Sequence, residues 1–186
     1  MILDEADEFI FDSANAITAP NIVGLTATAL EDLEDNSMAD LLLQPKYMGF
    51  RLINSHIDSQ ILSSSYEEAT FTEFLKASRG MAKLIYTNEE SYATVKADLG
   101  EENVKEDITD PTSLKSMKAG DAFITSKEGN MRAHDYRALD CNSGIALFIE
   151  KPLSCRRILV QAFGRVGRYG QPCRRFVKKG LEILDN

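Results

Sequence analysis

The chain has 186 residues, 44% of them hydrophobic, which is enough to bury the core of one large domain or two small ones. Its formal net charge is −8, which argues against a nucleic-acid-binding surface spread over the whole chain. The longest uninterrupted apolar run, Ile145–Ile149, is far too short to cross a membrane, so the sequence predicts no membrane-spanning segment.

The charges are distributed unevenly. Residues 1–45 hold ten acidic residues and no Lys or Arg, whereas residues 151–179 hold nine Lys or Arg and no acid. A local basic stripe of this kind suits contacts with phosphate groups. The alternative is a solvated basic face, which is the better interpretation for each of these residues taken singly: Arg156, Arg157, Arg174, Arg175, Lys178 and Lys179.

The three cysteines, Cys141, Cys155 and Cys173, form no C-x-x-C pair and have no histidine nearby in sequence. This pattern does not predict a zinc site and is typical of reduced thiols in an intracellular protein. The acidic N-terminus also lacks the basic start of a signal peptide. We therefore expect a soluble, intracellular protein, and the sequence does not indicate its compartment.

Met1–Leu3 is predicted to be the end of a buried strand, because a short apolar run is followed at once by charge. Asp4 and Glu5 then follow the carboxyl end of this strand, where open α/β sheets place their ligands. ATP chemistry at such a place needs one carboxylate to hold Mg²⁺ and a second to polarise the attacking water. The alternative is an acidic helix N-terminus stabilised by the helix dipole.

A second strand is predicted at Ile22–Leu25, and it leads directly into the hydroxyl side chains of Thr26 and Thr28. Helical spacing of apolar residues predicts a helix at Glu31–Leu43. Residues 51–65 are rich in Ser and show no clear periodicity, so they are predicted to be an interdomain linker.

Strand and helix patterns alternate again beyond this linker, which predicts a second domain with a parallel sheet. The predicted elements are helix Glu67–Ala77, strand Lys83–Thr87, helix Glu89–Leu99 capped by Asn88, and strands Asp121–Ser126 and Gly144–Ile149.

The octapeptide Gln161–Arg168 contains two arginines three positions apart, and a glycine precedes each. A guanidinium is permanently charged and donates through a planar fork, so Arg165 and Arg168 suit phosphate recognition. Glycine allows the backbone to turn tightly and to approach a ligand closely. The alternative is a basic loop with two ordinary surface arginines.

These stretches together resemble the motifs of superfamily-two helicases, in the order in which that family carries them. Asp4-Glu5-Ala6-Asp7 matches motif II of the DEAD-box helicases letter for letter, and Thr26-Ala27-Thr28 is similar to motif III. The strand at Lys83–Thr87 resembles motif IV. Arg132-Ala133-His134-Asp135 resembles motif V with alanine in place of glycine, and Gln161–Arg168 resembles motif VI.

The resemblance implies roles for single residues. Asp4 and Glu5 would hold Mg²⁺ and serve ATP hydrolysis, with Arg165 and Arg168 as arginine fingers across an interdomain cleft. Further residues would face the nucleotide (Gln161 and Asp135), couple the two sites (Asp7, Thr26 and Thr28) or contact nucleic acid (Thr125 and Arg132). A local surface ion pair is an equally good interpretation of Arg132 and Asp135.

No Gly-x-x-x-x-Gly-Lys-Ser/Thr phosphate loop occurs in the chain. The chain therefore resembles the C-terminal half of a helicase core. The expected fold is α/β: an incomplete RecA-like unit at 1–50, the linker at 51–65, and a RecA-like parallel sheet flanked by helices at 66–186. Residues 1–45 are expected to pack on a partner protein or on a missing N-terminal half.

Two functions follow as hypotheses. In the first, the chain is part of an ATP-dependent nucleic-acid helicase or translocase, with RNA favoured over DNA by the DEAD letters, and is inactive alone. ATP and Mg²⁺ would then bind only in a core completed by a phosphate-loop domain. In the second, the chain is a non-catalytic, helicase-derived assembly or binding module in a larger complex.

Overall fold

The computed structural model describes residues 2–3, 23–24, 66–106, 111–134, 136–140, 142–154 and 156–182. Strands β1 (Ile2–Leu3) and β2 (Val23–Gly24) pair in parallel, with Ile2 opposite Val23. The predicted strands at both places are thereby confirmed. The predicted helix at 31–43 and the linker at 51–65 lie outside the described residues.

Residues 66–182 hold a six-stranded sheet in which every described pairing is parallel. The strand order is β3-β8-β7-β4-β6-β5. In chain order the strands are β3 (Glu67–Ala69), β4 (Ala82–Tyr86), β5 (Val104–Glu106), β6 (Ala122–Thr125), β7 (Ile145–Ile149) and β8 (Cys173–Lys178).

The helices are α1 (Phe71–Ala77), α2 (Tyr92–Leu99), α3 (Asn130–Ala133) and α4 (Arg156–Phe163). Short 3₁₀ turns cover Glu89–Ser91, Glu101–Asn103, Pro111–Ser116 and Arg168–Gly170. The expected α/β class, with a parallel sheet flanked by helices, is confirmed, and the arrangement is consistent with a RecA-like domain. Within the described ranges, no helix is long and apolar enough to cross a membrane.

The strands β4, β6 and β7 are buried along their whole length because both faces of the sheet are covered. One core cluster includes Leu84, Phe123, Leu147 and Val177, together with apolar residues of α4. The other cluster, on the opposite face, includes Phe74, Ile85, Phe148 and Phe176. Neighbouring residues of one strand thus belong to different clusters, as the alternation of side chains along a strand requires.

The predicted helix Glu67–Ala77 is wrong at its start. Residues Glu67–Ala69 form the edge strand β3, and α1 begins only at Phe71. Thr70 divides the two elements because its hydroxyl accepts a hydrogen bond from the Glu73 N–H, while the Glu73 carboxylate accepts from the Thr70 N–H at 2.8 Å. This reciprocal capping box fixes the helix N-terminus.

The second predicted helix also differs from the structure. Residues Glu89–Ser91 form a 3₁₀ turn, and α2 covers only Tyr92–Leu99. Asn88 occupies the capping position before the turn, but its side chain makes no capping hydrogen bond. The predicted role of Asn88 as a cap is therefore wrong.

Candidate functional site

The loop with the two motif arginines, residues 164–168, connects α4 to the 3₁₀ turn that precedes β8; we call it the arginine loop. Because β7 and β8 are parallel, α4 returns the chain from the carboxyl end of β7 to the amino end of β8. At that end the Ile145 N–H donates to the Pro172 carbonyl at 3.1 Å. The arginine loop therefore lies at the amino edge of the sheet.

Arg165 is partly buried and contacts the segment that follows α3. Its Nη1 donates to the carbonyl of His134 at 3.2 Å, across 31 positions of sequence. The main chain at this point continues the end of α4, since the Arg165 N–H donates to the Ala162 carbonyl at 3.0 Å. The structure thus brings together one residue from each of the stretches that resemble motifs V and VI.

Arg168 is also partly buried, and its Nε donates to the carbonyl of Gly164 at 2.9 Å. Between the two residues, Gly167 adopts a left-handed conformation with φ of +80°. A Cβ at Gly167 would lie 2.6 Å from Sγ of Cys173, the first residue of β8. The glycine before Arg168 is therefore needed for a tight turn, as predicted, and the close approach that the structure shows is to Cys173.

Gln161 lies within α4 and is only 7% exposed. Its neighbours Val160 and Ala162 are still more completely buried, so this stretch of the helix is packed into the protein. The predicted contact of Gln161 with a nucleotide stays a prediction.

Gln171, which follows the 3₁₀ turn, makes a second contact with the segment after α3. The Gln171 side chain accepts from the Ala138 N–H at 3.2 Å and donates to the Ala138 carbonyl at 2.9 Å. This pair of bonds ties residues 136–140 to the chain that leads from the arginine loop into β8. Sequence reasoning missed Gln171, because nothing in its local pattern points to a partner 33 positions away.

Two side chains of the segment that follows α3, His134 and Tyr136, contact Asn130 at the start of that helix. The Tyr136 hydroxyl donates to the Asn130 carbonyl at 2.8 Å, and a ring nitrogen of His134 lies 3.1 Å from Oδ1 of Asn130. Burial, and secondarily the nearby Arg165 guanidinium, lower the pKa of His134 below its ordinary value. The His134 ring is therefore expected to be neutral at physiological pH, which avoids a second positive charge beside Arg165.

Thr125 ends β6 at the opposite, carboxyl edge of the sheet and is completely buried. Its hydroxyl oxygen accepts from the Lys127 N–H at 3.0 Å and from the Asn130 amide at 2.8 Å. The hydroxyl thus orders the loop that leads into α3. The predicted contact of Thr125 with nucleic acid stays a prediction.

Further polar groups lie at the carboxyl edge, and the sequence analysis does not predict them. Glu150 follows β7 and accepts from the Thr87 hydroxyl and from Nζ of Lys178, the latter at 3.2 Å. Lys151 Nζ donates to the Ser126 carbonyl at 2.7 Å. The sequence signal that could have found them is a polar residue directly after an apolar strand, since the carboxyl ends of parallel strands share one edge.

Two arginines of the basic stripe, Arg174 and Arg175, make contacts within the fold. Arg174 makes a bidentate ion pair with Glu67, with a closest distance of 2.7 Å, and donates to the Ala77 carbonyl at 2.6 Å. Arg175 is partly buried and donates to the Phe163 carbonyl at 2.9 Å. The interpretation of these two arginines as a solvated face is therefore wrong, since both side chains bind other parts of the fold.

The remaining predicted site residues, Asp4, Glu5, Asp7, Thr26, Thr28 and Asp135, lie outside the described residues. Arg132 lies in α3. In the part of the chain that the structure describes, no group of three His, Cys, Asp or Glu side chains is arranged to hold a metal ion. The predicted Mg²⁺ ligands Asp4 and Glu5 do not belong to that part of the chain.

Comparison of the chain with protein-family models finds no matching family, and comparison with curated proteins finds no matching relative.

Proposed function

We propose that residues 66–182 form the second RecA-like domain of a superfamily-two, helicase-type ATPase that acts on nucleic acid, with RNA favoured. The observation that carries the proposal is the contact between Arg165 and the His134 carbonyl. It joins two stretches that resemble two different helicase motifs in sequence. A parallel sheet with helices on both faces is the expected scaffold.

The chemistry of the arginine loop fits a polyphosphate. A guanidinium carries five N–H donors in a fixed plane, so a main-chain anchor and an anion contact are compatible in one side chain. Arg165 and Arg168 each have such an anchor, at His134 and Gly164. ATP with Mg²⁺ would supply a phosphoryl group for transfer to water. The two arginines would stabilise negative charge on the transferring phosphoryl group.

The position of the loop also suits this role. At the amino edge of its own sheet it is separated from the carboxyl edge, where Thr125 lies. A nucleic acid at one edge and a nucleotide at the other could then bind the same domain without competing for space. The phosphate loop that would hold the β- and γ-phosphates does not occur in the 186 residues and has to come from a second domain.

The test measures ATP hydrolysis by this chain combined with a phosphate-loop domain, on one polypeptide or in trans. Arg168→Lys keeps the charge but removes the planar fork, so turnover should fall roughly a thousandfold while the domain stays folded. Loss of the Nε bond to the Gly164 carbonyl should lower the melting temperature only slightly. Lys179→Ala is the matched control, because Lys179 is an exposed cation beyond β8 and outside the arginine loop. Equal loss of turnover in both variants would reduce the arginine loop to a general basic surface.

The chain by itself is expected to hydrolyse ATP no faster than its Asp4→Ala, Glu5→Ala variant. Without a phosphate loop, the two carboxylates have no positioned phosphate on which to act. Turnover in the wild-type chain that is stimulated by RNA and vanishes in the double variant would contradict this. Stimulation by single-stranded DNA in place of RNA would contradict the preference for RNA, but it would not contradict the proposed ATPase activity.

A non-catalytic assembly or binding module is the second candidate. It is favoured by the absence of a phosphate-loop motif from the 186 residues and by the structural use of Arg174 and Arg175. The same hydrolysis experiment separates the two candidates. If Arg165→Lys and Arg168→Lys lower the melting temperature but leave turnover unchanged, the arginines serve the fold and the second candidate is favoured.

A further inference from the structure

Two consecutive arginines of β8, Arg174 and Arg175, serve opposite faces of the sheet. Side chains alternate along a strand, and the next two residues show the same division, since Phe176 belongs to one core cluster and Val177 to the other. Arg174 binds Glu67 and the Ala77 carbonyl at the end of α1. Arg175 points to the other face, where α4 ends.

Arg175 holds main-chain carbonyls on both sides of Arg165. Its Nε donates to the carbonyl of Phe163 at 2.9 Å, and its Nη2 donates to the carbonyl of Val166 at 3.4 Å. The guanidinium carbon lies 6.0 Å from the centre of the Phe163 ring. Phe163 is the last residue of α4, so its carbonyl is one of the helix-end acceptors that need a donor from elsewhere. A cation at this position also complements the helix dipole.

We propose that Arg175 is a positioning residue that fixes the arginine loop. By holding the chain just before and just after Arg165, it sets the direction in which that residue leaves the backbone. The Arg165 guanidinium then meets the His134 carbonyl at 3.2 Å. Gln171, bound twice to Ala138, holds the far end of the same stretch. The structural part of this inference stands alone, whereas its consequence for turnover rests on the proposed function.

Arg174 provides a matched control. It is adjacent in sequence, is also partly exposed, and also donates to a carbonyl at the end of a helix. Replacing either arginine by Gln removes one guanidinium from the same strand. Only Arg175→Gln removes a contact with the arginine loop.

The experiment measures amide hydrogen exchange by NMR in the full chain, for the wild type, Arg175→Gln and Arg174→Gln. The reporters are the amides of Gly164 and Arg165, bonded to Val160 and Ala162, and the amide of Ser78, bonded to Phe74. Loss of a charge-assisted hydrogen bond should speed exchange about tenfold or more at the reporters beside it. We expect faster exchange at Gly164 and Arg165 in Arg175→Gln only, and at Ser78 in Arg174→Gln only.

Arg175→Lys keeps one charge-assisted donor and should restore part of the protection at Gly164 and Arg165. If both Gln variants speed exchange at all three reporters equally, each arginine merely stabilises the whole domain and the inference fails. It also fails if Arg175→Gln leaves Gly164 and Arg165 as protected as in the wild type. Urea unfolding of each variant shows whether the domain is still folded under the conditions of exchange.

Turnover in the ATPase completed by a phosphate-loop domain separates this inference from the proposed function. Loss of positioning should lower kcat and leave KM for ATP nearly unchanged, because an arginine finger acts mainly in the transition state. If Arg175→Gln loosens the loop and neither it nor Arg165→Lys changes kcat, the positioning role stands and the proposed function fails. If Arg165→Lys lowers kcat while Arg175→Gln changes neither exchange nor kcat, the proposed function stands and the positioning role fails.

Discussion

Gly167→Ala tests how tightly the arginine loop is packed. The φ of +80° at Gly167 is a conformation that residues with a Cβ rarely adopt. The added methyl group would also lie 2.6 Å from Sγ and 3.2 Å from Cβ of Cys173. At 2.6 Å two heavy atoms overlap, so either the cysteine or the loop has to move.

The two effects can be given separate magnitudes. Forcing a residue with a Cβ into the left-handed region costs about 1–2 kcal/mol. Overpacking of a filled site costs typically about 1–3 kcal/mol more. Gly167→Ala should therefore lower the free energy of unfolding by about 2–5 kcal/mol, a large part of the stability of an ordinary domain.

The assay is urea unfolding followed by far-ultraviolet circular dichroism, with two comparisons. Gly170 has φ of +73°, but nothing lies within 4 Å of its added Cβ, so Gly170→Ala should cost only the conformational part. In a Cys173→Ala background the sulfur is gone, and the cost of Gly167→Ala should fall towards that of Gly170→Ala.

Two results would refute this reasoning. Equal losses for Gly167→Ala and Gly170→Ala would show that the contact with Cys173 costs nothing. Strict additivity of Gly167→Ala and Cys173→Ala would show the same, since a double-mutant cycle measures only the interaction between the two sites.

Three further predictions concern other parts of the domain. Thr70→Ala removes the hydroxyl half of the capping box of α1 and should cost about 1 kcal/mol in urea unfolding. It should also raise the depressed pKa of Glu73 only part of the way to its ordinary value, because the Thr70 N–H, the larger cause of the depression, is kept. An unchanged pKa in NMR titration would show that the hydroxyl contributes nothing. Phe74→Ala empties a completely buried site and should cost about 3–5 kcal/mol; a loss below about 1 kcal/mol would mean that the site collapses without a cavity. The pKa of His134 is lowered by burial and by Arg165, so the unfolded chain takes up a proton at higher pH than the folded one. Stability should therefore fall as the pH drops below about 6.5, and His134→Gln should flatten this dependence in urea midpoints measured from about pH 8 to about pH 5; the same slope in both proteins would assign the effect to another group.

The central strands could be predicted from the sequence because burial on both faces leaves a direct signal. The runs at Ala82–Tyr86 and Ile145–Ile149 are apolar almost throughout, and the predicted strands agree with them to within a residue at each end. Lys83 is the exception inside such a run. It is buried, its Nζ donates to the Met81 carbonyl at 3.1 Å, and burial lowers its pKa.

The edge strand β3 and the strand β8 could not be predicted in this way. Each carries charged residues, and the partner that allows a strand to form there is remote in sequence. Arg174 and Glu67, which make the bidentate pair between β8 and β3, are 107 positions apart. Local periodicity contains no information about such a pair, so the sequence predicts a helix at Glu67 and a solvated face at Arg174.

In the arginine loop, too, some features are predicted by the sequence and others are not. Its composition predicts a tight turn and a phosphate-binding chemistry, and the φ of Gly167 agrees with the turn. What holds the loop is decided by residues that no motif contains, above all Arg175 and Gln171. A sequence motif identifies side chains that could act on a ligand, whereas the groups that orient them are spread over the fold.

The strand order also constrains how this domain is made on the ribosome. In the described sheet β3 pairs only with β8, so the first strand of the domain receives its neighbour last. Until synthesis has passed Lys178, Glu67–Ala69 has no edge to join, and β7 exposes the side that β8 will cover. The nascent chain therefore carries the open, apolar edge of β7 from the time Ile149 is made until β8 is complete at Lys178, a state in which pairing with another chain competes with folding.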